Sequence, residues 1–422
     1  MSIAADGSAS TIALVPEVTW GVTPATPEFT KIRSTGNSLM GTLAKTQSEE
    51  LTEQAAVTDV IPTQGGSEGD INFEPSYGTF MDIFLQHSLR GVFDEFGILK
   101  GGSLEQSFTA ERIIPVDGVP NYFRYQGTRA GTLAITLDAE ATSPIAGTLS
   151  TMGKAETVSP NPVAGATYVA ANTNTVMSMP ELRTLYVEIE GVPKTACFKT
   201  LSFTINNNLR SQQGKCTDVT TFPDILAKGV GYGRREISLD VVYYFTDSDF
   251  ATMFQNNTDG LFSYILTDGT HGYKITFPRA KIQESTIPIE GNSSDVTQNM
   301  TVMALLDSTE GTDVIVEKIG NLAAFAGIKL TGTTPDPDFQ GTFYKDGTQN
   351  DGKDIYVGLD GTEAIWWSTA DLAWTVTLFA DIGTFPVAEG WENTNAADPT
   401  GAFAIIGTAT GDLTGADYDP SA

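Results

Sequence analysis

The chain has 422 residues, 40% of them hydrophobic, and a formal net charge of -28 from 24 Lys+Arg against 52 Asp+Glu. That apolar share supports two or three domains with real cores and excludes a disordered chain. The acidity argues against tight binding of nucleic acid or of an anionic membrane, since either needs a positive footprint, and no apolar run approaches the roughly 20 residues that span a bilayer.

At the start, Met1-Ser2-Ile3-Ala4-Ala5-Asp6 has no basic segment followed by an apolar one, so no signal peptide is expected and synthesis in a cytoplasm is. Phe29-Thr30-Lys31-Ile32 leads to Asn37-Ser38-Leu39. Gly69-Asp70-Ile71-Asn72-Phe73-Glu74-Pro75-Ser76-Tyr77 then alternates as a strand with one apolar face, before Phe80-Met81-Asp82-Ile83-Phe84. Phe and Met at three- and four-residue spacing predict a short helix over Gly78 to His87. Thr132-Leu133-Ala134-Ile135-Thr136-Leu137-Asp138-Ala139-Glu140 alternates again. The Pro/Gly/Ala stretch Ser159 to Ala166 reads as a linker or long exposed loop.

Beyond that stretch the same order recurs. Leu185 to Glu190 alternates; Phe198-Lys199-Thr200-Leu201 leads to Asn207-Asn208-Leu209; Glu236-Ile237-Ser238-Leu239-Asp240-Val241-Val242-Tyr243 precedes a second expected helix, Asp247 to Asn256, with Phe250, Met253 and Phe254. Order and spacing both survive, which implies a doubled β domain. Gly41 to Gly69 and Gln212 to Gly233 are too long for simple hairpins and are expected as long loops.

From Glu317 to Asn321 onward the composition shifts to Gly, Thr, Asp and Trp, with strands expected at Gly341-Thr342-Phe343-Tyr344, Asp354 to Val357, Glu363 to Trp367 and Ala373 to Val376. Trp366, Trp367 and Trp374 are expected to fill a small core rather than stack on sugars. Asp346-Gly347 and Asn350-Asp351-Gly352 read as ordinary turns and not as a calcium loop. The expected fold is mainly β: domains at 1–165 and 166–318, each with a short helix, and a small all-β domain at 319–422.

Catalytic chemistry finds little footing. His87 falls on a helix where packing explains it, and His271 lies in a turn; neither belongs to a triad or a metal spacing. Gly229 to Gly233 precedes an acidic strand and not a phosphate-binding helix. Carboxylates are too abundant for any pair to signal a glycosidase. Cys197 and Cys216 fit a hairpin disulfide or two buried thiols, and the buried thiols are the expectation, since two cysteines make neither a disulfide framework nor a complete zinc site. No enzyme, cofactor or metal is expected.

The opening Glu17-Val18-Thr19-Trp20-Gly21-Val22-Thr23-Pro24 follows a pattern E-x-T-[WF]-G-x-T-P. After it come Lys31-Ile32-Arg33-Ser34-Thr35, the run Gly69 to Phe84, and Ser107-Phe108-Thr109-Ala110-Glu111-Arg112. In that order these motifs resemble the tail tube proteins of long-tailed siphophages over roughly residues 8 to 318. Ile32 stands where the family pattern has Leu. The residues beyond are similar to decoration modules appended to phage structural proteins.

The resemblance implies β-sandwich domains whose inner strands join into a barrel around a lumen, with rings stacked into a tube. Two domains per chain would make a trimer with pseudo-sixfold symmetry, and the long loops and N-terminal arm would bridge rings. The lumen wall expected from it carries Asp70, Asn72, Glu74, Asp138, Glu140, Glu236, Ser238 and Asp240, and repels DNA phosphates so that the genome slides. The implied partners are other copies of the chain, a tape-measure protein, tail terminator and distal tail proteins, and double-stranded DNA in transit; no membrane is expected. The implied site of residence is the virion tail, after synthesis in a bacterial cytoplasm. The competing reading is an extracellular carbohydrate-binding or adhesive β protein.

Overall fold

The computed structural model describes residues 4–319, except 52, 54–55, 95–96, 143, 191, 195–196, 216–224, 290 and 293, and within 320–422 only the strands named below. Packing divides the chain into two units, residues 1–269 with 273–318, and 270–272 with 319–422.

In the first unit the chain runs β1 (Thr11–Pro16), β2 (Glu28–Lys31), β3 (Ser34–Asn37), β4 (Met40–Gln47), β5 (Val60–Phe73), α1 (Thr79–Leu89), β6 (Ile98–Lys100), β7 (Phe108–Val116), β8 (Val119–Asp138), β9 (Ala146–Gly153), β10 (Ala155–Ser159) and β11 (Thr167–Val169). It continues as β12 (Arg183–Ile189), β13 (Val192–Lys194), β14 (Phe198–Asn206), β15 (Arg210–Gln212), β16 (Gly229–Gly231), β17 (Glu236–Tyr244), α2 (Asp249–Asn256), β18 (Gly260–Thr267), β19 (Gly272–Thr286), β20 (Thr297–Ala304) and β21 (Ile315–Ile319). The chain is mainly β.

One sheet organises this unit. Antiparallel ladders join β3 to β5, β5 to β9 and β9 to β8; β8 then pairs with β14, β14 with β17, β17 with β20, and β20 with β19. The order β3-β5-β9-β8 is thus repeated as β14-β17-β20-β19, and β8–β14 is the joint between the two blocks. Irregularities recur at matching places. The β3–β5 ladder slips between Ser34 and Gly36, opposite Phe73 and Asn72; the β14–β17 ladder slips between Phe198 and Thr200, opposite Tyr243 and Val242. Likewise β8–β9 slips between Ala130 and Thr132, and β19–β20 between Ile282 and Glu284. Each bulge inserts a residue and sharpens the local twist, so both blocks bend at the same point.

The strands alternate as a half-buried sheet requires. Leu133, Ile135 and Leu137 of β8, Leu201, Phe203 and Ile205 of β14, and Ile237, Leu239 and Val241 of β17 enter the core, as do Ile71 and Phe73 of β5. Over this face lies α1, against β8 and β14. It buries Phe80, Met81, Ile83, Phe84 and Leu85, and it stops where Arg90 turns left-handed at φ 57°, with Gly91 N–H donating to the Gln86 carbonyl. The rings of Phe73 and Phe80 meet edge-on, and those of Tyr243 and Phe250 meet the same way under α2. This contact matches Phe73 with Tyr243, so the structural correspondence sets the second motif four residues further along than Ile71 against Ile237 would place it. A second layer forms where the first half of β8 turns away to pair with β7 and β10, while β7 pairs with β1.

Some expectations need correcting. Gly41 to Gly69 is no loop: β4 and β5 form a long hairpin, with Gln47 opposite Val60. Most of its outer part is exposed, so no core imposes the alternation that would have marked the strands. Gln212 to Gly233 is closed at its base by the short pair β15–β16, and residues 216–224 lie outside the described residues. The helices span Thr79–Leu89 and Asp249–Asn256. Cys197 is a free, exposed thiol at the mouth of β14 and not a buried one; Cys216 lies outside the described residues.

In the second unit, β22 (Gly327–Gly332), β23 (Gly341–Asn350), β24 (Lys353–Gly358), β25 (Glu363–Ser368), β26 (Ala373–Leu378), β27 (Gly390–Asn393), β28 (Gly401–Ile406) and β29 (Leu413–Tyr418) pair in sequence, and β29 returns to β22 to close a barrel. Ile365 and Trp366 are buried. The side chains of Trp367 and Trp374 fall outside the described residues, as do Asp351 and Gly352; Asp346-Gly347 is no turn between strands but lies within β23, where its ladder with β24 slips between Lys345 and Gln349, and Asn350 ends that strand.

Candidate functional site: a polar wall across the sheet

The face of the continuous sheet opposite the core is built by the alternate residues of the same strands, so the alternation that fills the core also fixes what this face carries. Ladder partners line up in rows. One row is Asp70, Ser150, Thr132, Asn206 and Glu236; the next is Asn72, Thr148, Ala134, Thr204, Ser238 and Met303. A third is Ala146, Thr136, Ser202, Asp240 and Thr301, and a fourth Asp138, Thr200, Val242 and Asn299. From β5 to β20 none of the four contains Lys or Arg; on β19 the second row continues with Lys281, opposite Met303 and ion-paired with Asp259 at 3.4 Å.

Six of the eight residues assigned to a lumen wall therefore share one face, and two of them, Asp70 and Glu236, lie in one row on opposite sides of the β8–β14 joint. Glu74 lies just past the end of β5, and Glu140 just past the end of β8, where its carboxylate ion-pairs with Lys199 at 3.0 Å. That carboxylate pushes the Lys199 ammonium pKa up. Arg234, at 2.6 Å, holds the Glu236 carboxyl below its ordinary range, with Asn208 adding a second hydrogen bond.

What the sequence reading missed is the hydroxyl content between the carboxylates. Thr148 donates to Asn72 Oδ1 at 3.0 Å, Thr301 to Asp240 Oδ1 at 2.7 Å, and Thr136 and Ser202 bond across the joint at 3.2 Å. The signal was there, as Thr or Ser at 132 and 136, 148 and 150, and 200, 202 and 204. A hydroxyl both donates and accepts, so these side chains satisfy one another and leave a hydrated, acidic wall whose cations, Lys199, Arg234 and Lys281, are each paired with a carboxylate.

The opening motif has a different task. Glu17 accepts from Gly21 N–H and Ser107 Oγ through one oxygen, and from Thr109 Oγ1 and Gly127 N–H through the other, all at 2.7–2.8 Å. Trp20 Nε1 donates to the Gly127 carbonyl at 3.0 Å. Gly127 has φ 65°, and a Cβ there would meet Trp20 and Lys154 at 3.0 Å, so both its backbone and its neighbours call for glycine. This motif clamps the chain entry onto the β7–β8 layer.

Among the described residues no group of three or more His, Cys, Asp or Glu is placed to hold a metal, and no helix is long and apolar enough to cross a membrane. His87 lies buried on α1, its Nδ1 2.8 Å from the Ile83 carbonyl and its ring edge-on to Phe108. Burial depresses its pKa, against the pull of hydrogen bonds to the Ile83 and Ser107 backbone and the charge of Glu17.

No curated protein matches the chain. One family profile does, over residues 7–304, and its description is phage tail tube protein.

Proposed function

The chain belongs to the phage tail tube proteins, structural components of the virion tail, and from that premise we propose that its two sheet blocks are two copies of a tube domain and that its polar wall lines the channel. Three such chains close a pseudo-sixfold ring, and rings stack head to tail into a hollow, non-contractile siphophage tube that conducts double-stranded DNA. The observation that carries the reading is the single sheet running through both blocks, apolar on one face and, from β5 to β20, without Lys or Arg along four rows of the other. DNA phosphates passing such a wall meet repulsion and water instead of partners, so the genome slides. Closing the sheet into a ring also removes edges that would otherwise pair indiscriminately.

The β4–β5 hairpin and the N-terminal arm are the proposed bridges between rings, and residues 319–422 a decoration module. A tape-measure protein, a terminator and distal tail proteins are the proposed partners. Cryo-electron microscopy of the concentrated protein tests the reading. A hollow tube with threefold rings and six similar inner lobes supports it; true sixfold rings would keep the tube and remove the two-copy arrangement; monomers under every condition, with or without the assembly partners, would overturn it.

A further inference from the structure

The β8–β14 joint inside the chain has a counterpart whose two halves are present but apart. Matching bulges set Ala130 against Ile282 and Thr132 against Glu284, and Thr200 against Gly36. Counting on, Ile135 and Leu137 of β8 correspond to Ile287 and Ile289, just past the last ladder residue of β19. On the other strand, Leu201, Phe203 and Thr204 of β14 correspond to Asn37, Leu39 and Met40 on the β3–β4 edge. Ile135 and Leu137 are 0% exposed in the joint, whereas Ile287 is 39% and Ile289 80% exposed. Met40, on the edge that would receive them, is 51% exposed.

We propose that β19 of one copy, extended through Ile287 and Ile289, adds to the β3–β4 edge of a second copy in the register of the internal joint. In that register Ile287 stands opposite Leu39, Thr286 opposite Met40 and Ile289 opposite Asn37. Backbone polarity agrees. At the internal joint Ala139 N–H donates to the Lys199 carbonyl and Asn207 N–H to the Gly131 carbonyl, both at 2.8 Å, so the odd-numbered residues of β8 turn their backbone groups toward β14. Ile287 and Ile289 inherit that orientation. Pro288, which has no N–H, takes the place of Thr136, whose groups turn the other way, so the ladder loses nothing to it. On the receiving edge Ser38 N–H donates to the Asp70 carbonyl at 2.9 Å, which turns Asn37 and Leu39 outward. The Leu39 carbonyl is meanwhile held by Tyr125 Oη and Arg112 Nη1, each at 2.9 Å, a polar cover on an open edge.

The proposal rests on the tube reading for its place in a ring, but its test separates the two. Thr286→Cys and Met40→Cys are combined in a chain whose Cys197 and Cys216 are changed to Ser; Thr286→Cys with Thr42→Cys, on the same face but displaced along the strand, is the register control. Opposed residues of this class bring their Cβ atoms close enough for a disulfide. After oxidation, denaturing gels read the covalent species and electron microscopy the tubes. Intermolecular bonding at 286/40 well above 286/42 is expected. Such bonding without tubes would support the joint and overturn the tube; tubes without it would overturn the joint and leave the tube standing; neither would overturn both. Ile287→Asp with Ile289→Asp, two exposed positions, should leave the circular dichroism and melting of the monomer unchanged and abolish the joining. Assembly at the unaltered level would overturn the proposal.

Discussion

Glu111 and Arg124 sit opposite each other on β7 and β8, ion-paired, the carboxylate with no exposed surface. Tyr168 of β11 donates to the same carboxylate, and Arg124 reaches the Asn161 carbonyl, so the pair ties the Ser159–Ala166 stretch and the strand after it to the second layer. Glu111→Gln strands a nearly buried guanidinium, and a chemical denaturation midpoint should reveal a loss on the order of 3–5 kcal/mol. A change below about 1 kcal/mol would mean that water already reaches the pair.

Glu17→Ala removes the acceptor from four donors at once. The expected cost is on the order of 1–3 kcal/mol, since the donors are part-buried and the released motif can partly rehydrate. Faster hydrogen exchange at Gly21 and Gly127 is the specific signature, and uniform exchange across the chain would contradict the clamp.

His87 sets a pH dependence with a definite sign. Its pKa in the fold lies below the ordinary value of about 6.5, so the unfolded chain binds the proton more tightly. The stability it contributes is complete above about pH 6.5 and falls as the solution is acidified below that. The melting temperature of the native chain should drop more between pH 7.5 and 5.5 than that of His87→Gln; parallel drops would remove His87 as the cause.

Replacing Asp70, Glu74, Glu236 and Asp240 with Lys puts cations along the proposed channel. Tubes should still form, since these side chains lie off the core, while DNA delivery slows. Infectivity at the native level from tubes of native length would refute the wall's role.

Ending the chain after Lys318 should leave a folded unit with its own cooperative melt, because its packing is internal to residues 1–269 and 273–318. Loss of that transition would show that the barrel is required for the fold.

Most of the β character and both helices were legible because burial writes itself into sequence as alternation. Ile71 and Phe73, or Leu201, Phe203 and Ile205, announce a core face on their own. The β4–β5 hairpin was illegible for the converse reason: with solvent on both sides, Val60, Ile61, Pro62 and Thr63 follow no period. The carboxylates of the wall drew notice through charge, while Thr132, Thr136, Ser202 and Thr204 did not, since a hydroxyl suits any exposed strand. The four-residue shift between the repeated motifs was hidden because alternation looks the same after every second residue; only bulges and the Phe73–Phe80 contact fix the phase.

A ring of strands that closes on itself offers no ladder to a neighbour. In the unit formed by β22 to β29, every strand already has two partners, so a filament carrying one such barrel per subunit gains passengers without gaining sticky ends. The loops between those strands can then vary without disturbing the ladders that close the barrel.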